Sequence, residues 1–519
     1  MTRVSSLLVA SLSLFASAAS ATGFTDIGQD LVPSDSARVA LEGSFRARAE
    51  ALDNLDLDRG TTPSGQLLYP VPLSDPNGQV LTGADFRLRA DIAAYAPGGW
   101  VAVKARINVL NAEAGSAPAG VPLASTSQQA SLLTVERAWG EVLLPFGLIA
   151  AGRMGSQWGL GMLTNGGDCA QCDSGDSADR IALLTPLLGH IFAFAYDFDW
   201  SGPTMPNASG LRVVELDPTV NVHTVTVAML RYHDDLALNR RRTAGKSTLE
   251  YGAYFSYRWQ PNDIPALYLP TSVSVPINSA QVVERGYAAT ATDAWLRLTF
   301  PEARIEAEAA VLTVHIQQPS LIPGVLLNQP IDGVQWGGAV ESDFGARTGS
   351  FGFGLDLGVA SGDPSGSGFN AFPGINTAAS QSGDIRGAAT PSDASLDAFR
   401  FHPDYLVDRI LFAEIIGTVT GAMYVRPHVR VRLLRLGPND LEAQLAVIGS
   451  RALYASSTPG GNNALGIEID PTLAYGGREG FNAVLEHALL LPLAGLDNPG
   501  QGLKAAPAQL IRLRLSYVF

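Results

Sequence analysis

The sequence lacks the long apolar runs from which transmembrane helices are built. Beyond its N-terminal residues, no stretch approaches the roughly 18 consecutive apolar residues that a spanning helix needs, although 46% of all residues are hydrophobic. A helical membrane protein is therefore excluded, and any membrane span has to consist of strands. The hydrophobic residues must then follow a spacing that suits strands.

Cysteine is nearly absent, with Cys169 and Cys172 as the only two in the chain. A single C-x-x-C pair lacks the four ligands of a structural zinc site, and no thioredoxin-like pattern surrounds it. If the chain is exported, the pair predicts a local disulfide. The neighbouring Asp168, Asp173 and Asp176 carry the oxygen ligands that calcium prefers, so a calcium site and a solvated acidic loop both stay open.

Signatures of catalysis and of cofactor binding are also missing. The sequence has no G-x-S-x-G, H-E-x-x-H or P-loop motif, and its seven histidines do not cluster at metal-ligand spacing. We therefore predict no enzyme and, apart from the calcium hypothesis, no cofactor. A lipid hydrolase carried by a barrel stays as an alternative, because a Ser and a His on neighbouring strands leave no linear motif.

The charge balance and the N-terminus indicate an exported protein. A formal net charge of -14 argues against a nucleic-acid partner, because phosphate backbones bind basic surfaces. A positive residue, an apolar run over 7–15 and an A-x-A motif at 19–21 have the order of a secretory signal. This order predicts a signal peptide over 1–21 and a mature chain over 22–519, which has no linker that would divide it into domains.

What the sequence does contain is a strict alternation of apolar and polar residues. In the stretch 511–519 the odd positions are apolar or aromatic, whereas Arg512 and Arg514 lie between them. A strand with this pattern has one face for lipid and one for water. Bacterial outer-membrane barrels resemble it closely, and the resemblance implies that Tyr517 and Phe519 belong to the signal that the barrel-assembly machinery reads. An edge strand of a soluble domain is the alternative.

The same alternation recurs along the whole mature chain. It is clearest at 192–200 and at 351–359, where every second residue is aromatic or aliphatic. Segments of about 9 to 11 residues are long enough to cross a membrane as tilted strands. We predict an all-β protein, a single transmembrane antiparallel β-barrel of about 18 strands with 16 as the lower bound. The predicted strands are 38–51, 84–96, 100–110, 132–144, 147–156, 180–187, 190–200, 219–233, 248–260, 287–300, 303–315, 332–343, 349–361, 421–435, 440–453, 464–475, 480–492 and 505–519.

The connections between these strands alternate in length. If both termini are periplasmic, the odd connections are long extracellular loops and the even ones are mostly tight turns. One even connection, 234–247, is longer and carries three arginines. The longest odd connection, 362–420, ends in apolar residues at helical spacing, which predict a loop helix near 404–417. We expect this helix at the barrel mouth or inside the lumen as a constriction, with one more strand as the alternative.

Charged residues occupy the face of the strands opposite to the apolar one. If the apolar side chains face lipid, this second face lines a watered lumen. Most of these charges are expected to pair across neighbouring strands, and a basic track for anionic solutes is the alternative for the arginine rows. The lumen candidates are Arg46, Arg48, Arg87, Arg89, Arg106, Arg137, Arg430, Arg432, Arg512, Arg514, Glu306 and Glu308.

Two segments carry a resemblance to a known group of proteins. One runs from Gly152 to Met162 and is followed by the cysteine pair, and the other is the motif at 402–405 leading into 424–427. Together with the hairpin 473–493 they resemble an uncharacterised family of outer-membrane proteins from myxobacteria and related lineages. The resemblance implies an outer-membrane barrel and no established activity. More loosely, eighteen strands are similar to the sugar-specific and alginate-export porins.

These features together predict a porin-like channel of the bacterial outer membrane for passive passage of small hydrophilic solutes or oligosaccharides. A non-conducting barrel that serves as a surface receptor or as a structural part of the envelope is the first alternative, and the lipid hydrolase is the second. The expected partners are outer-membrane lipids, the barrel-assembly machinery and small polar solutes.

Overall fold

The computed structural model describes most of the chain from residue 27 onwards. The residues outside it are 1–26, 29–30, 32–33, 62–64, 66, 74–78, 114–132, 201–203, 207–208, 210–212, 265–281, 321–329, 346–348, 364–394, 437–438 and 478–479. The predicted signal peptide 1–21 and much of the long connection 362–420 therefore lie outside the described residues.

Eighteen long strands form one closed antiparallel sheet, as the alternation predicted. Every predicted strand is present, with ends within about four residues of the prediction. The strands of the barrel are β1 (Arg38–Asp53), β2 (Val80–Tyr95), β3 (Val101–Glu113), β4 (Leu133–Leu144), β5 (Gly147–Gly155), β6 (Ser177–Leu187), β7 (His190–Asp199), β10 (Val222–Arg231), β11 (Thr248–Gln260), β12 (Tyr287–Thr299), β13 (Ala303–Ile316), β14 (Ile331–Phe344), β15 (Phe351–Ala360), β16 (Ala422–Leu436), β17 (Asn439–Ala452), β18 (Ala464–Gly476), β19 (Phe481–Pro492) and β20 (Ala508–Val518). A separate small hairpin in one extracellular connection consists of β8 (Thr204–Pro206) and β9 (Val213–Glu215).

The barrel closes between its first and last strands. Strand β1 pairs with β2 on one side and with β20 on the other. At the end of this seam, Gly43 and Phe519 exchange two backbone hydrogen bonds of 3.0 Å. Higher up, Glu50 accepts a hydrogen bond of 2.8 Å from Arg512 across the same seam. The sheet therefore has no free edge at this junction.

Apolar side chains cover the outside of the barrel. In β15, Phe351 and Leu355 are 55% and 40% exposed, whereas Asp356, directly after Leu355 and on the opposite face, is 6% exposed. The same two-residue period runs through the strands on both sides of β15. Among the described residues, no helix has the length and apolar content to cross a membrane. An apolar exterior around a charged interior is the arrangement that a lipid bilayer requires of a barrel.

The longer even connection, 234–247, contains a helix that was not predicted from the sequence. Helix α1 (Asp235–Thr243) begins at Asp234, whose carboxylate accepts a hydrogen bond from the Ala237 amide at 2.6 Å. Its three arginines lie in the last turn, where positive charge complements the helix dipole. The arginines of 234–247 therefore belong to a helix between β10 and β11 and not to a strand of the barrel.

The helix predicted near 404–417 is present only in part. A single π-helical turn covers Leu411–Ile416 and ends at Gly417, whose φ of 86° is left-handed. The preceding residues are turns, because side-chain carboxylates rather than backbone carbonyls take up their amide hydrogens. We name residues 395–420 the distal segment. It lies inside the barrel, as the constriction hypothesis predicted, among inward-facing residues of β13 to β20.

Candidate functional site

The twelve charged residues predicted for the lumen all project from the inner face of the barrel. Their position follows from the two-residue period of each strand, whose alternate residues face outward. Arg46 and Arg87 are each 3% exposed, which shows that other parts of the chain cover them inside the barrel. The inward-facing set comprises Arg46, Arg48, Arg87, Arg89, Arg106, Arg137, Glu306, Glu308, Arg430, Arg432, Arg512 and Arg514.

The extracellular connection 156–176, here named the cysteine loop, enters the lumen and places its tip against six arginines of β1 to β4. A disulfide joins Cys169 and Cys172, with their Cα atoms 5.1 Å apart. Asp168 and Asp173 stand directly before and after this pair, so the disulfide holds both carboxylates on one short turn. We name the facing arginines the arginine wall: Arg46, Arg48, Arg87, Arg89, Arg106 and Arg137.

Both aspartates form ion pairs with the arginine wall. The carboxylate oxygens of Asp173 lie 2.7 Å from Nη2 of Arg46 and 2.7 Å from Nη1 of Arg48. Asp168 accepts a hydrogen bond from Arg106. Burial by itself raises the pKa of a carboxyl, but the nearby guanidinium groups outweigh burial and hold the pKa of both aspartates below its usual value.

Backbone carbonyls of the cysteine loop accept further hydrogen bonds from the wall. Arg89 donates to the Gly167 carbonyl at 2.7 Å, and Arg87 donates to the Cys172 carbonyl. Arg137 donates to a third carbonyl and also lies 3.2 Å from the carboxylate of the first aspartate. The wall therefore holds the loop through two charged groups and several neutral ones.

The other end of the cysteine loop is anchored across the barrel, at Glu308 of β13. The Glu308 carboxylate accepts hydrogen bonds from the Leu160 amide at 2.5 Å and from the Leu163 amide at 3.2 Å. Gly159 has a φ of 52°, and a Cβ added there would lie 2.5 Å from the same carboxylate, so glycine is required at this approach. The loop thus reaches from the arginine wall to the opposite side of the lumen.

The distal segment is held at its helical turn by two carboxylates. Glu468 of β18 accepts hydrogen bonds from the amides of Ile410 and Leu411 at 2.9 and 3.0 Å. Asp408 accepts a hydrogen bond from the Phe412 amide at 2.9 Å. These carboxylates satisfy the amide hydrogens that the start of a helical turn leaves without carbonyl partners.

Apolar packing completes the attachment of the distal segment. Phe399 and Phe401 are each 1% exposed, and Ile410 is fully buried. They belong to one cluster with Ala339 and Ala446, small residues on the inner faces of β14 and β17. The small side chains of the wall leave room for the large side chains of the segment, so this side of the lumen is filled like a protein core.

The cysteine loop and the distal segment also contact each other. The Asp404 carboxylate accepts hydrogen bonds of 3.0 Å from the amides of Asp173 and Ser174. The His402 amide donates to the Met162 carbonyl at 2.7 Å. The two segments therefore meet inside the barrel and together narrow its lumen.

The three aspartates of the calcium hypothesis have separate partners. Asp168 and Asp173 face different arginines of the wall, and Asp176 lies 3.5 Å from Nε2 of His402. In the part of the chain that the structure describes, no group of three His, Cys, Asp or Glu side chains is arranged to hold a metal ion. The calcium site stays a prediction.

Tyr517 and Phe519 lie on the outer face at the end of β20. Each is 46% exposed, and their rings stack with centroids 6.2 Å apart. Their exposure toward lipid agrees with the pattern seen in the sequence, and recognition by the assembly machinery stays a prediction.

The contacts of three charged residues of the distal segment were not predicted from the sequence. Arg409 lies 3.1 Å from Asp470 and 3.2 Å from Glu486, on β18 and β19. Asp404 and Asp408 cap amides of the cysteine loop and of the helical turn, respectively. The sequence did contain one indication of these contacts, namely that the charges lie inside an otherwise apolar stretch. A charge buried in such a stretch needs a partner.

Some solved structures of outer-membrane proteins are similar to this chain at low sequence identity. No family model and no curated protein matches the chain. Among solved structures it is similar to OccK9 (OpdG) of Pseudomonas aeruginosa, at 11% identity and a TM-score of 0.45, over 93% of this chain and 98% of that one. OccK8 (OprE) of the same organism gives 9% identity and a TM-score of 0.44, over 93% and 98% of the two chains.

A third similar structure is OmpT, described as an outer membrane protein of Vibrio cholerae, at 9% identity and a TM-score of 0.39, over 93% and 100% of the two chains. None of these matches establishes the myxobacterial resemblance, which stays a prediction. The closed barrel and its apolar outer surface place the protein in the bacterial outer membrane, since a closed barrel satisfies every backbone group within lipid.

Proposed function

We propose that this barrel is a channel through which small hydrophilic solutes or short oligosaccharides cross the outer membrane passively. The observation that carries the proposal is the inner face, where charges of both signs line all sides of a closed eighteen-stranded barrel. Such groups replace part of the hydration of a polar solute. The cysteine loop and the distal segment restrict the passage to small molecules.

A non-conducting barrel is the second candidate, because a specific observation favours it. The distal segment packs against β13 to β20 through an apolar cluster of the kind found in protein cores. A lumen filled on this side and crossed by the cysteine loop leaves less room than an unobstructed barrel of this size. In this alternative the long extracellular connections would serve as a receptor or structural surface.

We further propose that the assembly machinery recognises the end of β20. The support is the lipid-facing, aromatic position of Tyr517 and Phe519. Replacing Phe519 with Ala is expected to lower the amount of inserted barrel. Replacement of Phe481, which is 43% exposed and begins β19, is the matched control.

Single-channel recording in planar lipid bilayers tests the channel proposal. The purified wild-type barrel is compared with a variant in which a short glycine linker replaces 362–420. This deletion is feasible because the Gly421 amide lies 3.2 Å from the Ser361 carbonyl, so the two ends already meet. Deletion of 265–281 is the control, since Asp263 and Val283 pair at the base of that loop.

If the barrel is a channel, the wild-type protein is expected to conduct, and the variant that lacks 362–420 is expected to conduct more strongly. The variant that lacks 265–281 should conduct much like wild type. A wild-type barrel that is inserted and silent, and that conducts only after the deletion, would favour the plugged barrel. Silence of all three proteins, each verified as folded by heat-dependent gel mobility, would exclude the channel.

A further inference from the structure

We propose that the arginine wall is a binding site for solutes that carry two negative charges, as a dicarboxylate or a phosphate does, and that the tip of the cysteine loop occupies this site as a built-in ligand. The inference rests on the proposed channel function, because the solute has to reach the lumen. Its basis is a mismatch between the positive charges and hydrogen-bond donors of the wall and the smaller number of negative charges and acceptors that the loop tip supplies.

The first part of this mismatch is charge. The six arginines of the wall face three carboxylates of their own strands, those of Asp85, Asp91 and Glu136. This leaves a surplus of three positive charges on the wall, of which Asp168 and Asp173 neutralise two. Arg514 of β20 lies beside the loop, where it donates a hydrogen bond to the neutral side chain of Gln171 and also interacts with the Glu486 carboxylate of β19. The wall therefore remains positive when the loop is seated.

The second part is hydrogen bonding. Several wall guanidinium groups donate to neutral carbonyls of the loop, such as those of Gly167 and Cys172. Among the described residues, the buried Nε atoms of Arg46 and Arg87 have no hydrogen-bond partner. Charge-assisted hydrogen bonds to a carboxylate or phosphate are about twice as strong as those to a carbonyl. An anionic solute would therefore satisfy the wall better than the loop does.

The loop tip is also suited to displacement. The side chains of Asp168 and Asp173 are 31% and 46% exposed, so solvent reaches the ion pairs. The Cys169–Cys172 disulfide closes a turn of four residues between these two aspartates, so the tip can leave and return without losing its shape. Its contact with the distal segment consists of amide hydrogen bonds to Asp404, which does not hold the aspartate side chains themselves.

Calorimetric titration of the folded barrel in detergent at low ionic strength tests this site without requiring conduction. The probes are succinate and inorganic phosphate, with acetate as the single-anion comparison. The Asp168→Asn/Asp173→Asn double variant neutralises the built-in ligand, and Arg46→Gln/Arg48→Gln neutralises part of the wall. Asp179→Asn and Arg153→Gln are the matched controls, because this ion pair of 2.8 Å lies on the outer face of β5 and β6.

The aspartate double variant is expected to bind succinate or phosphate about tenfold more tightly than wild type, because the wall is no longer occupied. The arginine double variant is expected to lose this binding, Arg46→Lys/Arg48→Lys to recover part of it, and acetate to bind weakly throughout. Preference between succinate and phosphate identifies carboxylate or phosphate as the natural group. Gel mobility and circular dichroism establish that each variant is folded.

An affinity of the aspartate variant within about twofold of wild type, or an equal gain in Asp179→Asn, would overturn the built-in ligand. Binding that survives in the arginine variant would overturn the wall as its site. The channel proposal is separable: conduction without this binding refutes only the site, and binding without conduction refutes only the channel.

Discussion

The cysteine loop and the distal segment both enter the barrel from its extracellular end, yet different forces hold them. The tip of the cysteine loop meets the lumen wall through arginines, two aspartates and backbone carbonyls. The distal segment meets it mainly through buried phenylalanine and aliphatic side chains packed on small wall residues, together with buried contacts of Glu468 and Arg409. One attachment is polar and partly solvated, and the other resembles the core of a soluble domain.

This difference separates a part of the lumen whose contacts are reached by water and salt from a part whose contacts are buried. Ion pairs that water reaches are weakened by salt, by protonation and by competing ions. Apolar packing is insensitive to all three and is lost mainly when a side chain is removed. The cysteine loop is therefore the movable element inside the barrel, and the distal segment is the fixed one.

The largest expected effect comes from removing a buried ring of the fixed element. Phe401→Ala is expected to destabilise the distal segment by about 3–5 kcal/mol, because the ring is 1% exposed and packs on Phe399 and Tyr405. Hydrogen exchange of the amides in 396–420 measures this loss, and those in the cysteine loop should change less. Phe146→Ala, at a ring that is 61% exposed, is the control. Equally faster hydrogen exchange in both segments would contradict the distinction between a movable cysteine loop and a fixed distal segment.

The next effect comes from opening the disulfide of the movable element. Cys169→Ser/Cys172→Ser is expected to weaken the seating of the cysteine loop by about 2 kcal/mol, because a closed turn of this size restricts the released chain. Faster hydrogen exchange in 165–176, with 396–420 unchanged, is the expected readout. Reduction of the wild-type disulfide should reproduce it. If neither treatment alters exchange, the disulfide does not shape the tip.

Changes of pH are expected to affect the two segments in opposite directions. The pKa of Asp168 and Asp173 is lowered, so the ionised aspartates stabilise the seated cysteine loop at pH values above the usual carboxyl range. This stabilisation is lost as pH falls below about 4. Burial, aided by Asp470, raises the pKa of Asp408 to about 7. The protonated Asp408 therefore stabilises the seated distal segment at low pH, and this stabilisation is lost as pH rises toward 7.

Hydrogen exchange corrected for its intrinsic pH dependence measures both changes. Acid should release the cysteine loop while the distal segment stays protected. The Asp168→Asn/Asp173→Asn variant should show no acid release, and Asp408→Asn should abolish the change between pH 4 and 7. Release of both segments together at low pH would show that they behave as one unit.

The smallest effect is expected from salt. Raising the ionic strength from about 0.1 to 1 M shortens the screening length from about 10 to 3 Å, which should weaken the partly exposed pairs of the cysteine loop by less than about 1 kcal/mol. Exchange in the loop should become modestly faster, and exchange in the distal segment should not. The aspartate double variant is the control. A wild-type loop that is indifferent to salt would indicate that its carbonyl contacts and the Glu308 anchor dominate.

The sequence was sufficient to predict the barrel because lipid imposes a strict period on every strand. Strands such as β15 and β20 alternate so regularly that their faces were assigned correctly, and the alternation of loop lengths supported the strand count. Helix α1 was missed although Asp234 is a favourable first residue, because the connection has little apolar periodicity. The short hairpin of β8 and β9 gave too few residues for any pattern.

The contacts inside the lumen were not predictable in the same way. The aspartates beside the cysteines were recognised as notable residues, but nothing local indicates that Asp173 meets Arg46, which lies more than a hundred positions away. Likewise, the amides of Ile410 and Leu411 find Glu468 only after the barrel has formed. These partners depend on tertiary structure, which also replaced most of the helix predicted near 404–417 with turns.

The seam between β1 and β20 has a consequence for biogenesis. Because β1 pairs with β20, the sheet stays open until residues 508–518 are available, and the two backbone hydrogen bonds between Gly43 and Phe519 form only when residue 519 is in place. A chain that is truncated before β20 would present two unpaired strand edges, which are templates for aggregation. Closure of the barrel therefore depends on the pairing of β20 with β1.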